Sequence, residues 1–211
     1  MRFAPSLRLQ CLILGAALGW AVPSTARAED DSAHARHLAA EIAILAGDVR
    51  RLIQETLPPL ERTGLEQRLA GGLASLPLAL RRAGGDASVV PPLRTAAGRR
   101  AWPALRTQLN VLQRRHPFAA ERLLGAAPTR NTLALGESIH RATCAGCHDT
   151  PATDDHLLPA KNLTVQAHSM PPEEFAARLW LGVRGNSSSA LANPFSTEEL
   201  AALIAWYRQP R

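Results

Sequence analysis

The sequence predicts an all-α protein, because apolar residues recur at helical steps and residues 31–125 contain no convincing strand pattern. The clearest apolar stripe advances in steps of four and three residues and consists of Leu38, Ile42, Leu45, Val49 and Leu52. Charged residues, Arg50 and Arg51 among them, occupy the other faces, as in a helix with one side toward a core. Pro58 and Pro59 end this first helix.

Three further helices are expected in the N-terminal part of the chain. A second apolar stripe consists of Leu65, Leu69, Leu73, Leu76 and Leu80. We expect this second helix to be kinked or broken near Pro77, since proline lacks a backbone N–H. A loop bracketed by residues 84–85 and 91–92 follows. The third helix is expected over residues 102–112 and a short fourth one over residues 118–124.

These four segments each carry one apolar stripe, which they bury by packing together as a small antiparallel bundle. The predicted bundle domain covers residues 29–125, a length that holds a modest core of its own. Residues 126–131 then form a linker, and residues 132–211 a second domain.

The second domain contains the C-x-x-C-H sequence at residues 144–148. Two thiols three positions apart on a helical turn can each add across a vinyl group of haem, forming two thioether bonds. The histidine that follows then lies beneath the iron as its proximal ligand. The motif therefore predicts one covalent haem c, attached through Cys144 and Cys147 and ligated by His148.

Other uses of the cysteine pair lack support in the rest of the chain. The sequence has three cysteines, and Cys11 lies in an N-terminal segment that resembles a removable signal. A zinc site would need two more ligands at matching spacing, which His148 alone does not supply. A thioredoxin-like redox pair would need a βαβ pattern around it, and none is visible.

The first 28 residues have the order of a secretory signal peptide. Arg2 and Arg8 precede an apolar run over residues 11–22, which is followed by Pro23 and a small-residue cleavage site ending at Ala28. The apolar run is too short to span a bilayer, so no membrane span is expected in the mature chain. Export agrees with the haem motif, because c-type haem is attached outside the bacterial cytoplasmic membrane. We therefore expect a periplasmic protein.

The charge of the mature chain is mildly basic. Removal of Arg2, Arg8 and Arg27 leaves 21 of the 24 basic residues against 18 acidic ones, and Lys161 is the only lysine. This balance suits an acidic redox protein as partner without requiring one. Nucleic-acid binding is not expected, because basic and aromatic residues do not interleave and no dense basic run occurs.

Residues 132–211 resemble the small soluble class I cytochromes c. Gly136 lies eight residues before Cys144, where the family uses glycine to let the C-terminal helix cross closely, and His140 stands where an aromatic residue is usual. The resemblance implies that Trp206 or Tyr207 packs across Gly136.

The other helices of the second domain fit the same resemblance. Ser196 and Glu199 have the spacing of a capping box at the start of the closing helix. Residues 171–175 resemble the start of the family's third helix, which would continue to Leu181. Residues 162–164 resemble the loop that crosses the haem edge, where Pro159 would brace His148.

The sixth iron ligand departs from the family pattern, since Asn193 stands where the methionine is expected. Three alternatives remain open. Met170 ligates through an unusual loop path and gives a low-spin electron carrier; His156 or His168 ligates and gives a bis-histidine haem; or the sixth site stays open and binds small ligands. Met170 is taken as the tentative ligand.

The order of helical domain, linker and cytochrome unit also resembles the periplasmic part of bacterial high-affinity iron permeases. Residues 37–49 are similar to the first helix of those proteins, whereas their membrane half and its Arg-Glu-x-x-Glu motifs are missing here. The expected function is therefore single-electron transfer to or from a redox protein, in respiration or metal uptake, and not catalysis. The alternative is a haem-based sensor or ligand-binding module. Lys161, Arg178 or Arg184 would pair the haem propionates or form surface salt links.

Overall fold

The computed structural model describes residues 24–125, 127–150, 160–182 and 194–210. All regular secondary structure in these ranges is helical, which confirms the all-α class. Residues 1–23 of the expected signal peptide, and the linker residue 126, lie outside the described part. Among the described helices, none combines the length and apolarity that crossing a bilayer requires.

The helices follow one another with short connections. They are α1 (Ser24–Gln54), α2 (Pro59–Arg82), α3 (Val90–Gly98), α4 (Trp102–Arg115), α5 (Glu121–Leu124), α6 (Arg130–Ile139), α7 (Ala145–His148), α8 (Leu163–Ser169), α9 (Pro172–Leu181) and α10 (Thr197–Tyr207). A single 3₁₀ turn, Ala87–Val89, precedes α3, and a π-helical turn, His140–Cys144, joins α6 to α7. The predicted helices of both domains are therefore present, and two more were not foreseen.

The first core lies among α1, α2, α3 and α4. Every residue of the two predicted apolar stripes is buried there, together with Leu105, Leu109 and Leu112 of α4. The helical spacing in the sequence thus identified the buried faces correctly. Burial of these leucine side chains supplies most of the favourable free energy of this part of the fold, at about 1.5–3 kcal/mol each.

The expected break at Pro77 does not occur, and α2 continues to Arg82. Pro77 cannot donate to the carbonyl of Leu73 four residues earlier. Arg94 of α3 fills this position: its Nε donates to the Leu73 oxygen at 3.0 Å, and its Nη2 donates to the Ala74 oxygen at 3.0 Å. The guanidinium therefore satisfies the carbonyl that the proline leaves without a partner.

Residues 90–98, expected in a loop, form α3 instead. Pro91 and Pro92 stand in its first turn, where a helix needs no backbone N–H donor, so the prolines start this helix and do not exclude it. Asp86 caps the preceding 3₁₀ turn by accepting from the backbone N–H of Ser88 at 2.8 Å. A prolyl pair is thus compatible with a loop or with a helix start, and the loop prediction was wrong.

The second core combines the C-terminal helices with one face of α1. Its buried residues include Leu163, Phe175, Leu200, Leu203, Ile204 and Tyr207, and also Phe118 and Leu123 from the segment expected in the N-terminal bundle. From α1 it takes Ala39, Ala40, Ala43 and Ile44. Helix α1 therefore contributes to both cores: its leucine stripe faces the first one and its alanines face the second.

Small side chains let α1 and α9 approach closely. Ala176 and Ala177 of α9 are fully buried in the same core as the alanines of α1. One turn further along α1, a Cβ atom on Gly47 would overlap the carboxylate of Glu174. Glycine at position 47 is thus required for the Glu174 side chain to reach the centre of this interface.

Gly136 allows the close crossing of α6 and α10. A Cβ atom at this position would overlap the carbonyl oxygen of Ala202 and lie 2.8 Å from Cβ of Trp206. The start of α10 carries the expected capping box, with Ser196 Oγ accepting from Glu199 N at 3.2 Å and Glu199 Oε2 accepting from Ser196 N at 2.8 Å. The crossing brings the end of α10 against the helix that leads into the C-x-x-C-H motif.

Candidate functional site

The C-x-x-C-H residues lie at the end of a continuous helical segment. Helix α6 passes through the π-helical turn His140–Cys144 into the single turn of α7 that ends at His148. Both Cys144 and Cys147 are free thiols; Cys144 is half-buried and Cys147 is exposed. Residues three and four positions apart share one face of a helix, so both sulfurs and the imidazole of His148 lie on the same side.

The ring of His148 is oriented by a backbone carbonyl. Its Nδ1 lies 2.6 Å from the carbonyl oxygen of Lys161. A carbonyl can only accept, so Nδ1 carries the proton and donates it, and Nε2 keeps its lone pair for a metal. Histidine ligands in proteins are commonly held by such a hydrogen bond, which also makes the ring a stronger donor to the metal.

The carbonyl that holds His148 belongs to a segment fixed by a helix cap. Lys161 directly precedes Asn162, whose side-chain oxygen accepts from the backbone N–H of Val165 at 3.0 Å and caps α8. Residues 163–169 form this helix, where the sequence suggested a loop across the haem edge. Pro159, the residue expected to brace His148, lies outside the described residues.

His140 connects the motif to the closing helix. It is buried, its Nδ1 lies 2.8 Å from the hydroxyl of Tyr207, and its Nε2 lies 3.0 Å from Oδ2 of Asp149. Its ring also stacks at 4.5 Å on Trp206. Histidine thus takes over the packing of the aromatic residue usual in the resembled family and adds two hydrogen bonds, one on each side.

Tyr207 is fully buried and stays protonated. Burial, and secondly the nearby Cys144, raise the pKa of its phenol well above the ordinary value. The phenol therefore remains available as a hydrogen-bond donor between His140 and the half-buried Cys144. This contact extends from the second core to one of the two haem-attachment thiols.

An apolar fringe borders Cys144 at the edge of the second core. Cys144 itself is part of this fringe, and its other members are the half-buried side chains of Ile139, Met170, Leu179, Leu181 and Phe195. Half-buried apolar groups next to two free thiols and an oriented imidazole fit a large apolar group such as a porphyrin. The residues present at the site therefore fit haem c.

The predicted sixth ligands are distributed unevenly. Met170, at the end of α8, packs against the second core together with Cys144, whereas His168 is exposed. His156 and Asn193 lie outside the described residues. Within the described part of the chain, no three His, Cys, Asp or Glu side chains come together as a metal site of their own. The identity of the sixth ligand stays a prediction.

The basic residues suggested for the haem propionates have carboxylate partners within the protein. Arg178 is buried and donates to Asp48 Oδ1 at 2.7 Å and to Glu174 Oε1 at 2.8 Å. Lys161 Nζ lies 2.8 Å from Glu61 Oε2. Neither forms a simple surface salt link, because each joins an N-terminal helix to the C-terminal part. Arg184 lies outside the described residues.

The carboxylate of Asp48 is the centre of a buried ion network that sequence reasoning missed. Asp48 is fully buried in α1 and also binds Arg68 of α2, while Arg50 reaches Glu174 at 3.2 Å. Burial alone would raise the pKa of Asp48, but the neighbouring guanidinium groups, Arg178 foremost, outweigh it and lower the pKa below the ordinary value. The signal in the sequence was an aspartate next to the buried face of an apolar helix.

Comparison of the chain with models of known protein families, with curated proteins and with solved structures found no match. The resemblance of residues 132–211 to the class I cytochromes c thus stays a prediction from the sequence. What the structure adds is the local geometry: free thiols, an oriented histidine and an apolar fringe beside one another.

Proposed function

We propose that the chain is a periplasmic mono-haem c-type cytochrome that carries single electrons to or from a redox protein. The observation that carries the proposal is the hydrogen bond from Nδ1 of His148 to the carbonyl of Lys161, beside two unpaired thiols. This bond leaves Nε2 of the imidazole free to ligate iron. Haem c, when bound, supplies a one-electron iron couple.

The protein would attach and hold this group with residues from one helical segment. Cys144 and Cys147 form the thioethers, and His148 is the proximal ligand. The half-buried side chains around Cys144, including Leu179 and Phe195, would cover the apolar ring and exclude water from it. The surrounding apolar shell and the hydrogen bond to the proximal histidine are the means by which a protein sets the potential of such a group.

A rigid frame around the site supports electron transfer over a switching role. The crossing of α6 and α10 at Gly136 is too close for any larger side chain, and Tyr207 and His140 are hydrogen-bonded behind the motif. These contacts fix the helix that carries Cys144 against the closing helix. A site held in one geometry is suited to a change of charge without a change of fold.

Met170 is proposed as the sixth ligand, because it packs at the same edge of the second core as Cys144. Thioether sulfur is a good ligand for ferrous iron. The absorption spectrum of the oxidised protein should show the far-red thioether–iron band, and Met170→Ala should abolish it. Retention of the band in Met170→Ala would remove this residue from the iron.

The experiment that tests the function is an equilibrium redox titration of the purified protein followed by absorption. An electron carrier should titrate as a single one-electron couple, and its reduced form should not change at once on addition of carbon monoxide. A high-spin spectrum that shifts immediately with carbon monoxide would overturn the carrier proposal in favour of a ligand-binding haem module.

A further inference from the structure

Lys161 makes two contacts that connect the proximal histidine to the N-terminal helices. Its backbone carbonyl accepts the hydrogen bond of His148, and its side-chain Nζ lies 2.8 Å from Oε2 of Glu61 at the start of α2. Glu61 precedes Lys161 by 100 residues in the sequence. One residue therefore carries both the acceptor that orients the imidazole and an ion pair to a distant part of the chain.

Glu61 is itself held in place before it meets Lys161. Its other carboxylate oxygen accepts from Nη2 of Arg51 at 2.5 Å, and Arg51 Nε also binds Glu55 at 3.0 Å. The side chains of Arg51 and Glu61 are only 16 % and 13 % exposed. Partial burial opposes ionisation of Glu61, but hydrogen bonds from Lys161 and Arg51 outweigh it and hold its pKa below the ordinary value. The anchor is thus a fixed anion on α2.

We infer that Glu61 is a positioning residue for His148, acting through Lys161. The inference rests on the proposed haem function, which it deepens by giving the N-terminal bundle a role at the iron. The described segment around Lys161 has an anchor on each side: the Asn162 cap of α8 and the ion pair to α2. With the ion pair in place, the Lys161 carbonyl is held at hydrogen-bond distance from the imidazole.

The effect of this anchor is expected at the iron and not in the stability of the whole fold. The Lys161 side chain is 46 % exposed, and ion pairs with an exposed partner contribute little to the free energy of unfolding. A firmly held acceptor on Nδ1 makes histidine a stronger donor to iron, which favours the oxidised state. Loss of the anchor should therefore raise the midpoint potential.

The direct effect of charge can be separated from positioning by a charge-neutral change. Removing Glu61 alone raises the potential by electrostatics as well, because a nearby anion favours the oxidised haem. The double variant Glu61→Gln/Lys161→Gln removes one charge of each sign, so electrostatics alone predicts little change. Positioning predicts that the double variant is raised like Glu61→Gln. Lys161→Arg, which keeps the ion pair, should behave as the wild type.

Glu66 offers a matched control on the same helix. Its carboxylate accepts from Arg100 at 2.8 Å within the N-terminal helices, far along α2 from Lys161. Glu66→Gln removes the same charge and the same kind of ion pair without touching the histidine's acceptor. It should leave the potential unchanged once haem is attached.

The test measures the midpoint potential and, in ¹⁵N-histidine-labelled reduced protein, the proton resonance of His148 Nδ1–H. Glu61→Gln and the double variant should raise the potential and move this resonance upfield, as a weaker hydrogen bond requires. A double variant identical to the wild type in both measurements would overturn the inference while leaving the haem function intact. A wild-type chain without covalent haem, seen by intact mass, would overturn the proposed function and this inference with it.

Discussion

Nη2 of Arg178 in α9 lies 2.7 Å from Oδ1 of Asp48 in α1, although 130 residues separate them in the sequence. The same carboxylate binds Arg68 of α2, so three helices meet at one fully buried aspartate. The contact fastens the C-terminal helices to the N-terminal ones at the point where Gly47 permits close approach. The first and second cores are therefore joined by a specific ion network as well as by the shared helix α1.

Asp48→Asn should lower the free energy of unfolding by about 3–5 kcal/mol, because it leaves buried guanidinium groups without their counter-charge. Urea unfolding at pH 7 measures the change. Glu66→Gln removes a carboxylate whose arginine partner is 71 % exposed, and we expect it to cost no more than about 1 kcal/mol. Equal losses in the two variants would contradict the assigned importance of Asp48.

The pH dependence of this effect has a definite sign. The pKa of Asp48 is lowered in the folded protein from its ordinary value of 3.8. Its ion network is therefore fully stabilising above that value and is lost as the pH falls through the folded-state pKa. The difference in unfolding free energy between the wild type and Asp48→Asn should shrink as urea titrations move from pH 6 into this acidic range. A difference that stays constant would show that Asp48 does not titrate as described.

Gly136→Ala should destabilise the protein by about 1–3 kcal/mol or more, since α6 and α10 must separate to admit a Cβ atom. Gly71→Ala is the control, because a Cβ there meets no atom within 4 Å on an exposed face of α2. That substitution should stabilise by about 0.5–1 kcal/mol through helix propensity. Thermal unfolding of the two variants should thus shift in opposite directions. A neutral Gly136→Ala would argue against the close crossing.

His140 and Tyr207 should be energetically coupled through their 2.8 Å hydrogen bond. His140→Phe keeps an aromatic ring against Trp206 but removes the partner of a buried hydroxyl, and Tyr207→Phe removes the hydroxyl itself. The two losses should add to more than the loss in the double variant, with a coupling of about 1 kcal/mol. Strict additivity in a double-mutant cycle would mean that the bond contributes nothing to stability.

The buried faces of the helices were predictable because hydrophobic spacing has a direct physical meaning. The leucine stripe of α1 and the glycine at position 136 are local signals, and both appear in the structure as expected. Other features depend on partners distant in sequence. The continuation of α2 through Pro77 needs Arg94, which no local pattern reveals. The second face of α1 was overlooked because alanine carries a weak hydrophobic signal, although Ala39, Ala43 and Gly47 recur every four residues.

The candidate site was predictable in its chemistry and not in its surroundings. The C-x-x-C-H spacing named the thiols and the imidazole, since this chemistry depends on residues adjacent in sequence. The acceptor of His148 is a backbone carbonyl, which every residue has, so sequence could not single out Lys161. The role of Glu61 likewise follows only from the folded chain, which brings α2 next to the segment before α8.

The central claim is that Cys144 and Cys147 bind one haem covalently, and intact mass tests it most directly. The chain would be produced with its own leader in bacterial cells that attach haem c in the periplasm, beside an unrelated cytochrome c as a positive control. We predict a mass one haem above that of the polypeptide starting at Glu29, and its loss in Cys144→Ala/Cys147→Ala. A wild-type chain with two free thiols and no added mass, from cells that load the control cytochrome, would contradict the account.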